Sequence, residues 1–291
     1  MMDNRTPIIM AITESGGVGP RMFQQLLLQL GSPENFPNAT RQELADIPRI
    51  GEKASEKILR SLRLVDEFRE RLKDYEKDGV EVITIFDDNY PDLLRQIDDP
   101  PPVIYIKGNH KAFEHGYIAI VGTTQASQAG IRLTVDLSTE LGKRGYGIVS
   151  GLANGIDSAA HLSAIKSGTP TIAVLGCGVL NIYPEENIAL ADTIAKIGLL
   201  ISEHQPYKQV KAARLILRNR LISAFAKAVI VMQVGKERRG ELRTAEYAFK
   251  QAKPVFFADP EGDLDKETIR ATDGVLIDGI ESVDRIIEYF V

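Results

Sequence analysis

At 291 residues, with 44% apolar and 26% charged side chains, the chain has the length for two domains and the apolar content for a packed core. That composition excludes a disordered, collagen-like or fibrous protein. The single cysteine, Cys177, excludes an internal disulfide and a thiolate zinc site, and it fits a reducing cytoplasm. No apolar run approaches the roughly 18 residues of a membrane span. The apolar patch at 7–12 is too short for a signal peptide, so a cytoplasmic protein without membrane contact is expected.

The first 75 residues read as small helices around glycine turns. Gly16-Gly17-Val18-Gly19-Pro20 precedes an amphipathic run at 21–30, which Gly31-Ser32-Pro33 ends. Thr40 with Glu43 three residues on has the spacing of a capping box. Ile50-Gly51-Glu52 then leads into one long helix predicted over 55–75. Each unit runs from an apolar residue through a glycine turn into a helix start, where backbone N–H groups can face a phosphate. The arrangement resembles helix-hairpin-helix units. A protein-contact domain satisfies the same pattern, because these residues carry 11 basic and 11 acidic side chains and so have no net charge.

From residue 76 short apolar runs alternate with helical patterns. Strands are predicted at 80–86, 103–107, 117–121, 146–150, 171–175, 199–202, 228–234, 254–258 and 274–277. Helices are predicted near 127–144, 158–167, 185–196, 210–225, 242–251 and 282–289. The alternation predicts an α/β fold, an extended Rossmann-like parallel sheet covered on both faces, behind a small all-helical domain. In such sheets ligands bind beyond the carboxyl ends of the strands. Glycine turns stand at three of those ends: Gly122-Thr123-Thr124 running to Ser127, Gly151 to Gly155 through Asn154, and Gly176-Cys177-Gly178. Close approach of a phosphate or base is the expected use of these glycines. None matches the dinucleotide or P-loop fingerprint, so no cofactor is expected, and no metal.

Charge is unevenly spread. The formal net charge is −5, yet residues 205–253 carry +9 while the stretches on either side carry −7 each. Concentrated like charge costs stability unless an anion is expected there, and folding is expected to bring these charges to one surface.

Four stretches together resemble one family. Residues 150–161 read SGLANGIDSAAH, 171–187 read TIAVLGCGVLNIYPEEN, 217–224 read LRNRLISA, and 87–108 read DDNYPDLLRQIDDPPPVIYIKG. The combination is similar to the DNA-processing protein A family (DprA, also called Smf), over nearly the whole chain. The resemblance implies an extended Rossmann-like domain at 76–291 after a helical domain at 1–75, with no C-terminal winged helix. It implies single-stranded DNA binding, loading of a RecA-type recombinase in DNA uptake and recombination, homodimers, and no catalysed reaction.

The departures from the family pattern bear on the site. Where the family reads G-S-R, this chain has Gly122-Thr123-Thr124, and Asn154 stands in place of an arginine. Where the family tends to S-G-S-L-I-T-A, the chain reads Arg239-Gly240-Glu241-Leu242-Arg243-Thr244-Ala245. Arg218-Asn219-Arg220 matches, with Lys208, Lys211 and Arg214 nearby, and this cluster is expected to hold the phosphate backbone. A structural ion pair across the sheet edge is the competing use of Arg218 or Arg220. The expected interface is therefore Gly122, Thr123, Thr124, Ser127, Gly151, Asn154, Gly155, the basic cluster with Asn219, and Arg243. Tyr183, Tyr207 and Phe225 are candidates for stacking on bases. His161, four residues after Asp157, reads as tying a helix start together rather than as a general base. Two further readings stay open: a regulator or antitoxin partnering a toxin or phage-defence protein, and a sensor or hydrolase of a nucleotide-derived ligand.

Overall fold

The computed structural model describes residues 4–236, 240–262 and 264–290. The chain forms two compact units, one of residues up to Ile106 with Glu203–Pro206, the other of Lys107–Ser202 and the chain from Tyr207 onward.

In the first unit α1 (Arg5–Met10) widens into a π-helical turn, Ala11–Ser15. The helices α2 (Pro20–Leu30), α3 (Arg41–Ala45), α4 (Glu52–Leu62) and α5 (Val65–Lys77) follow. β1 (Glu81–Thr84), the short α6 (Asp92–Arg95) and β2 (Val103–Gly108) complete it, β1 lying antiparallel to β2 with Glu81 opposite Ile106. The apolar patch at the start of the chain is helical core: Ile8 through Ile12 are buried, with Phe23, Leu26, Phe36 and Phe68. Gly19 and Gly51 are the N-caps of α2 and α4, and neither position has a side-chain cap. The capping box is present, with Thr40 N–H donating to Glu43 Oε2 at 2.7 Å and Glu43 N–H to Thr40 Oγ1 at 3.2 Å.

The single helix expected over 55–75 is two helices, separated at Arg63–Leu64. Helical phase gives the reason. Ile58 and Leu62 share a face, as do Phe68 and Tyr75, but six residues from Leu62 to Phe68 turn a continuous helix well past that face. A break lets both pairs be buried. Glu14, on the π-helical turn, is also inside. Its Oε1 accepts from the Tyr105 hydroxyl at 2.5 Å and its Oε2 faces Arg71 at 3.3 Å. Burial raises its carboxyl above the ordinary range, against the pull of Tyr105 and Arg71.

The second unit is a parallel α/β sheet. In chain order it contains β3 (Tyr117–Val121), α7 (Gln128–Lys143), β4 (Gly147–Ser150), α8 (Ile156–Lys166), β5 (Thr171–Leu175), α9 (Ile188–Ile197) and β6 (Leu199–Ser202). Then come α10 (Ala212–Phe225), β7 (Ala226–Val231), α11 (Gly240–Lys250), β8 (Val255–Ala258), α12 (Lys266–Arg270), β9 (Val275–Ile277) and α13 (Val283–Glu288). Spatial order is β6-β5-β4-β3-β7-β8-β9, each neighbour parallel. All residues of β3 and β5 are buried, as continuous apolar runs require when helices cover both faces. Ile118, Ile120, Ile148 and Ile230 pack with Leu137 and Leu141 of α7, Ala160 of α8 and Ile286 of α13. α10 and α11 pack together, and α10 lies against β3, β4, β5 and β7. No described helix is long and apolar enough to cross a membrane.

Replacing Thr40 by Ala removes one half of the capping box. Its expected cost is about 1 kcal/mol of unfolding free energy in urea titration, with an unchanged m-value.

Candidate functional site

A cleft of about 420 Å³ opens at the carboxyl edge of the parallel sheet. It lies where strand order turns back from β6 to β7 beside β3, the switch point at which such sheets bind ligands. Gly122 and Thr124 after β3, Gly151, Asn154 and Asp157 after β4, Arg218 and Asn219 of α10, and Gly240, Glu241 and Thr244 of α11 contribute to its lining. Of the residues expected at the interface, Gly122, Thr124, Gly151, Asn154, Arg218 and Asn219 are brought together. Thr123, Ser127, Gly155, Lys208, Lys211, Arg214, Arg220 and Arg243 do not line it.

The glycines have a more internal use than expected. Gly155 adopts φ +76°, and a Cβ there would lie 2.5 Å from the Thr123 carbonyl oxygen. A Cβ on Gly151 would lie 2.5 Å from the Arg218 guanidinium. The room that these residues leave is filled by the protein itself, and it locks the turns after β3 and β4 to one another and to α10. Ser127 does the same for a helix start: it caps α7 through the Gly130 N–H at 3.0 Å, while its own N–H donates to Gln233 at 3.0 Å.

Arg218 is the organising side chain. It is 6% exposed. Its Nη1 donates to the Gly151 carbonyl at 2.6 Å and to the Val174 carbonyl, and its Nε to Asn219 Oδ1 at 3.1 Å. Asn219 Nδ2 in turn donates to the Gly240 carbonyl at 3.1 Å. Asp157, 5% exposed, accepts the N–H groups of Gly151 at 3.2 Å and Ala153 at 3.3 Å. Burial raises the Asp157 carboxyl above its ordinary range, opposed by the charge of Arg218 and by the loop N–H groups. Burial likewise lowers Arg218, opposed by Asp157. Arg218 thus ties two strand ends, a loop and, through Asn219, the start of α11 together, with Nη1 on two backbone carbonyls and Nε on the Asn219 amide oxygen. Arg220, expected beside it on the phosphate, is 4% exposed and inside the fold.

The basic segment does not form one surface. α10 runs from the carboxyl edge of the sheet to the amino edge, so its two ends carry charge to opposite sides. Lys253 Nζ caps the far end, donating to the Ser223 carbonyl at 2.7 Å, and burial lowers this amine to about 8. Lys227 stands over the Phe290 ring. Arg243 is exposed and paired with Glu246 at 2.7 Å. Arg239 lies outside the described residues. Lys208, Lys211 and Arg214 remain at the near end of α10, whose next residues, Leu215 and Ile216, line the cleft. Lys211 is the α10 N-cap and makes no side-chain capping hydrogen bond, and the first turn holds no acidic residue.

Other candidates separate by burial. Tyr183 is 46% exposed and lines the cleft. Tyr207 is exposed but does not line it, and Phe225 is core, stacked on Phe113. Cys177 is buried and burial raises its thiol. His161 does not meet Asp157. Its Nδ1 lies 2.7 Å from Thr171 Oγ1, which donates to the Ile148 carbonyl at 2.8 Å, so the geometry assigns the ring proton to Nδ1. Burial holds the imidazole at about 3. No group of three or more His, Cys, Asp or Glu among the described residues is placed to hold a metal ion. Sequence reasoning missed Asn187, whose Nδ2 donates to the Leu152 carbonyl at 2.9 Å and to Asn154 Oδ1 at 3.1 Å. Its signal was present, as the last residue of the 171–187 stretch. Ile216 and Glu241 were also missed as lining residues, and no pattern in the sequence marks them.

The fold and site define a parallel α/β protein with a binding cleft at its strand ends, joined to a tandem of small helices. Residues 81–289 match the model of DNA recombination-mediator protein A, and residues 12–64 match that of a SAM-like helix-hairpin-helix tandem. The chain belongs to the DNA recombination-mediator protein A family. It is 41% identical over 183 residues to the DNA processing protein DprA of Bacillus subtilis, covering 62% of this chain and 61% of that protein. It is also similar to the X-ray structure of DprA from Streptococcus pneumoniae, with a TM-score of 0.80, 28% identity, and 96% and 97% of the two chains covered. A Helicobacter pylori structure, described as showing the single-stranded DNA binding mode of its DprA, matches with a TM-score of 0.64 and 26% identity. It covers 73% of this chain and 97% of that one. The chain spans about three fifths of the length of the Bacillus and Synechocystis relatives that it matches.

Two outcomes follow from the buried groups. Arg218→Met strands Asp157 without its counter-charge and is expected to cost about 3–5 kcal/mol, with part of the loss recovered in the double variant Arg218→Met/Asp157→Asn. Urea titration of the four proteins measures the coupling. For His161 the unfolded chain takes a proton near pH 6.5 and the folded one only near 3, so stability is full above 6.5 and falls as pH drops below it. In His161→Gln that part of the acid slope, measured from melting temperatures between pH 7 and 4, should disappear.

Proposed function

We propose that the chain binds single-stranded DNA without sequence choice at the carboxyl edge of its parallel sheet, and serves in the cytoplasm to load a RecA-type recombinase. It acts as a homodimer and as a binder, with no catalysed reaction. The helical domain, residues 1–75, supplies a second DNA contact in addition to that of the Rossmann-like domain, residues 76–291. One observation carries the reading. The 14-residue α10 presents an uncapped N-terminus free of acidic residues in its first turn, flanked by Lys208, Lys211 and Arg214, beside the switch-point cleft. A helix start with added cations is a phosphate site. Family membership supports the same ligand, as does the single-strand binding named for the Helicobacter structure.

The reading shifts the phosphate contacts from Arg218 and Arg220 to the α10 rim. Thr124 and Asn154, in place of the family's arginines, remove two further contacts from the loops. Affinity should therefore be moderate and its salt dependence shallow.

Fluorescence anisotropy with an unstructured single strand across a salt series, with duplex as control, tests this. Lys208→Ala, Lys211→Ala and Arg214→Ala should each weaken binding to all sequences alike and reduce the slope of log affinity on log salt by about 0.7. A triple variant that binds like the parent would falsify the site. Absence of single-strand binding in the parent removes the DNA reading and turns the search to a protein partner.

A further inference from the structure

Of the chain's asparagines, only Asn154 is followed by glycine. A glycine presents its backbone nitrogen to the preceding side chain with no Cβ in the way. Attack of that nitrogen on the Asn154 side-chain carbonyl closes a small ring between adjacent residues. Such proximity makes intramolecular reactions fast. The pair stands in the turn between β4 and α8, with Gly155 as the N-cap of α8.

The fold around the pair favours that attack. Asn154 is exposed, so water and hydroxide reach it. Among the described residues the Gly155 N–H donates to no acceptor, so no hydrogen bond has to break before this nitrogen loses its proton. Asn154 Oδ1 accepts from Asn187 Nδ2 at 3.1 Å. Asn187 is 7% exposed, and the same Nδ2 is held by the Leu152 carbonyl at 2.9 Å and Ser158 Oγ at 3.0 Å. A fixed donor on the carbonyl oxygen draws electrons from the carbon and stabilises the oxyanion that forms as the ring closes.

We infer that Asn154 is a site of spontaneous deamidation. The Gly155 nitrogen gives its proton to hydroxide and bonds to Asn154 Cγ. The bond from Cγ to the side-chain nitrogen breaks, and that nitrogen leaves as ammonia with a proton from water, which restores the hydroxide. Water then opens the succinimide at either carbonyl, giving aspartate or isoaspartate. Either product adds a carboxylate to a lining that already holds Asp157 and Glu241. Isoaspartate also inserts a main-chain carbon just before Gly155, where a Cβ would lie 2.5 Å from the Thr123 carbonyl oxygen, and so strains the lock between the turns after β3 and β4. The modification stands apart from the single-strand reading above. Only its consequence, weaker hold on an anionic strand, rests on that reading.

The test ages the full chain in neutral and in mildly alkaline buffer and maps its peptides by mass spectrometry, with isoaspartate detected by enzymatic methylation. Asn154 should convert ahead of every other asparagine, faster in the alkaline buffer, and at a rate comparable with that in the urea-unfolded chain. Asn154→Gln should stay intact at this position, because the longer side chain closes its ring far more slowly. An Asn154 that survives in the folded chain while it converts in the unfolded one overturns the proposal. So does conversion no faster than that of the other asparagines. By anisotropy, Asn154→Asp should bind a labelled single strand several-fold more weakly than the parent, and equal binding overturns the stated consequence. A parent that binds no single strand removes the single-strand reading, and the peptide map then decides the deamidation by itself.

Discussion

The buried guanidinium of Arg218 is the constraint on which the rest of the second unit depends. At the end of a parallel sheet the last carbonyls run out of strand partners, and a helix packed over them can bury those groups only if something donates to them. Arg218 does so for Gly151 and Val174 at once. A fixed planar fork with several donors suits this better than an ammonium would. The charge it brings inside is balanced by Asp157, which in turn orders the loop after β4. Gly151 must lack a side chain because the guanidinium lies where its Cβ would be.

Pinning α10 in this way decides where its ends fall. The same helix that buries Arg218 delivers Lys211 to the carboxyl edge and is closed at the amino edge by Lys253. The cleft and the cationic rim are therefore neighbours. The rim has an open helix start with Lys211 exposed and Lys208 and Arg214 half-buried, Arg214 donating to the Gln209 carbonyl, whereas Asp157 and Glu241 stand in the first turns of α8 and α11. Thr124 and Asn154 leave the loops after β3 and β4 uncharged at these positions.

The first unit is built on a different device. Its core is the apolar start of the chain, wound as a helix and a π-helical turn, with Glu14 drawn inside among Tyr105, Tyr75 and Arg71. A buried carboxylate costs free energy unless it is well partnered, and this one has three partners.

Periodicity alone placed the strands of the second unit, because a strand buried on both faces must be apolar throughout, and that pattern is local. The capping box at Thr40 and Glu43 and the three turns at the carboxyl edge were legible for the same reason: each depends on residues only a few positions apart. The break between α4 and α5 needed helical phase to be followed across Leu62 and Phe68. What side chains do at long range was not legible. Arg218 and Lys211 are equally cationic in the sequence. Only the fold turns one onto Gly151, 67 residues away, and leaves the other at an exposed helix start. The charge of residues 205–253 was certain from the sequence, and its division between two edges, the interior and the rim came from the direction of α10. Composition and spacing determine which elements can form. Tertiary packing decides which charges are desolvated, because burial depends on neighbours far away along the chain.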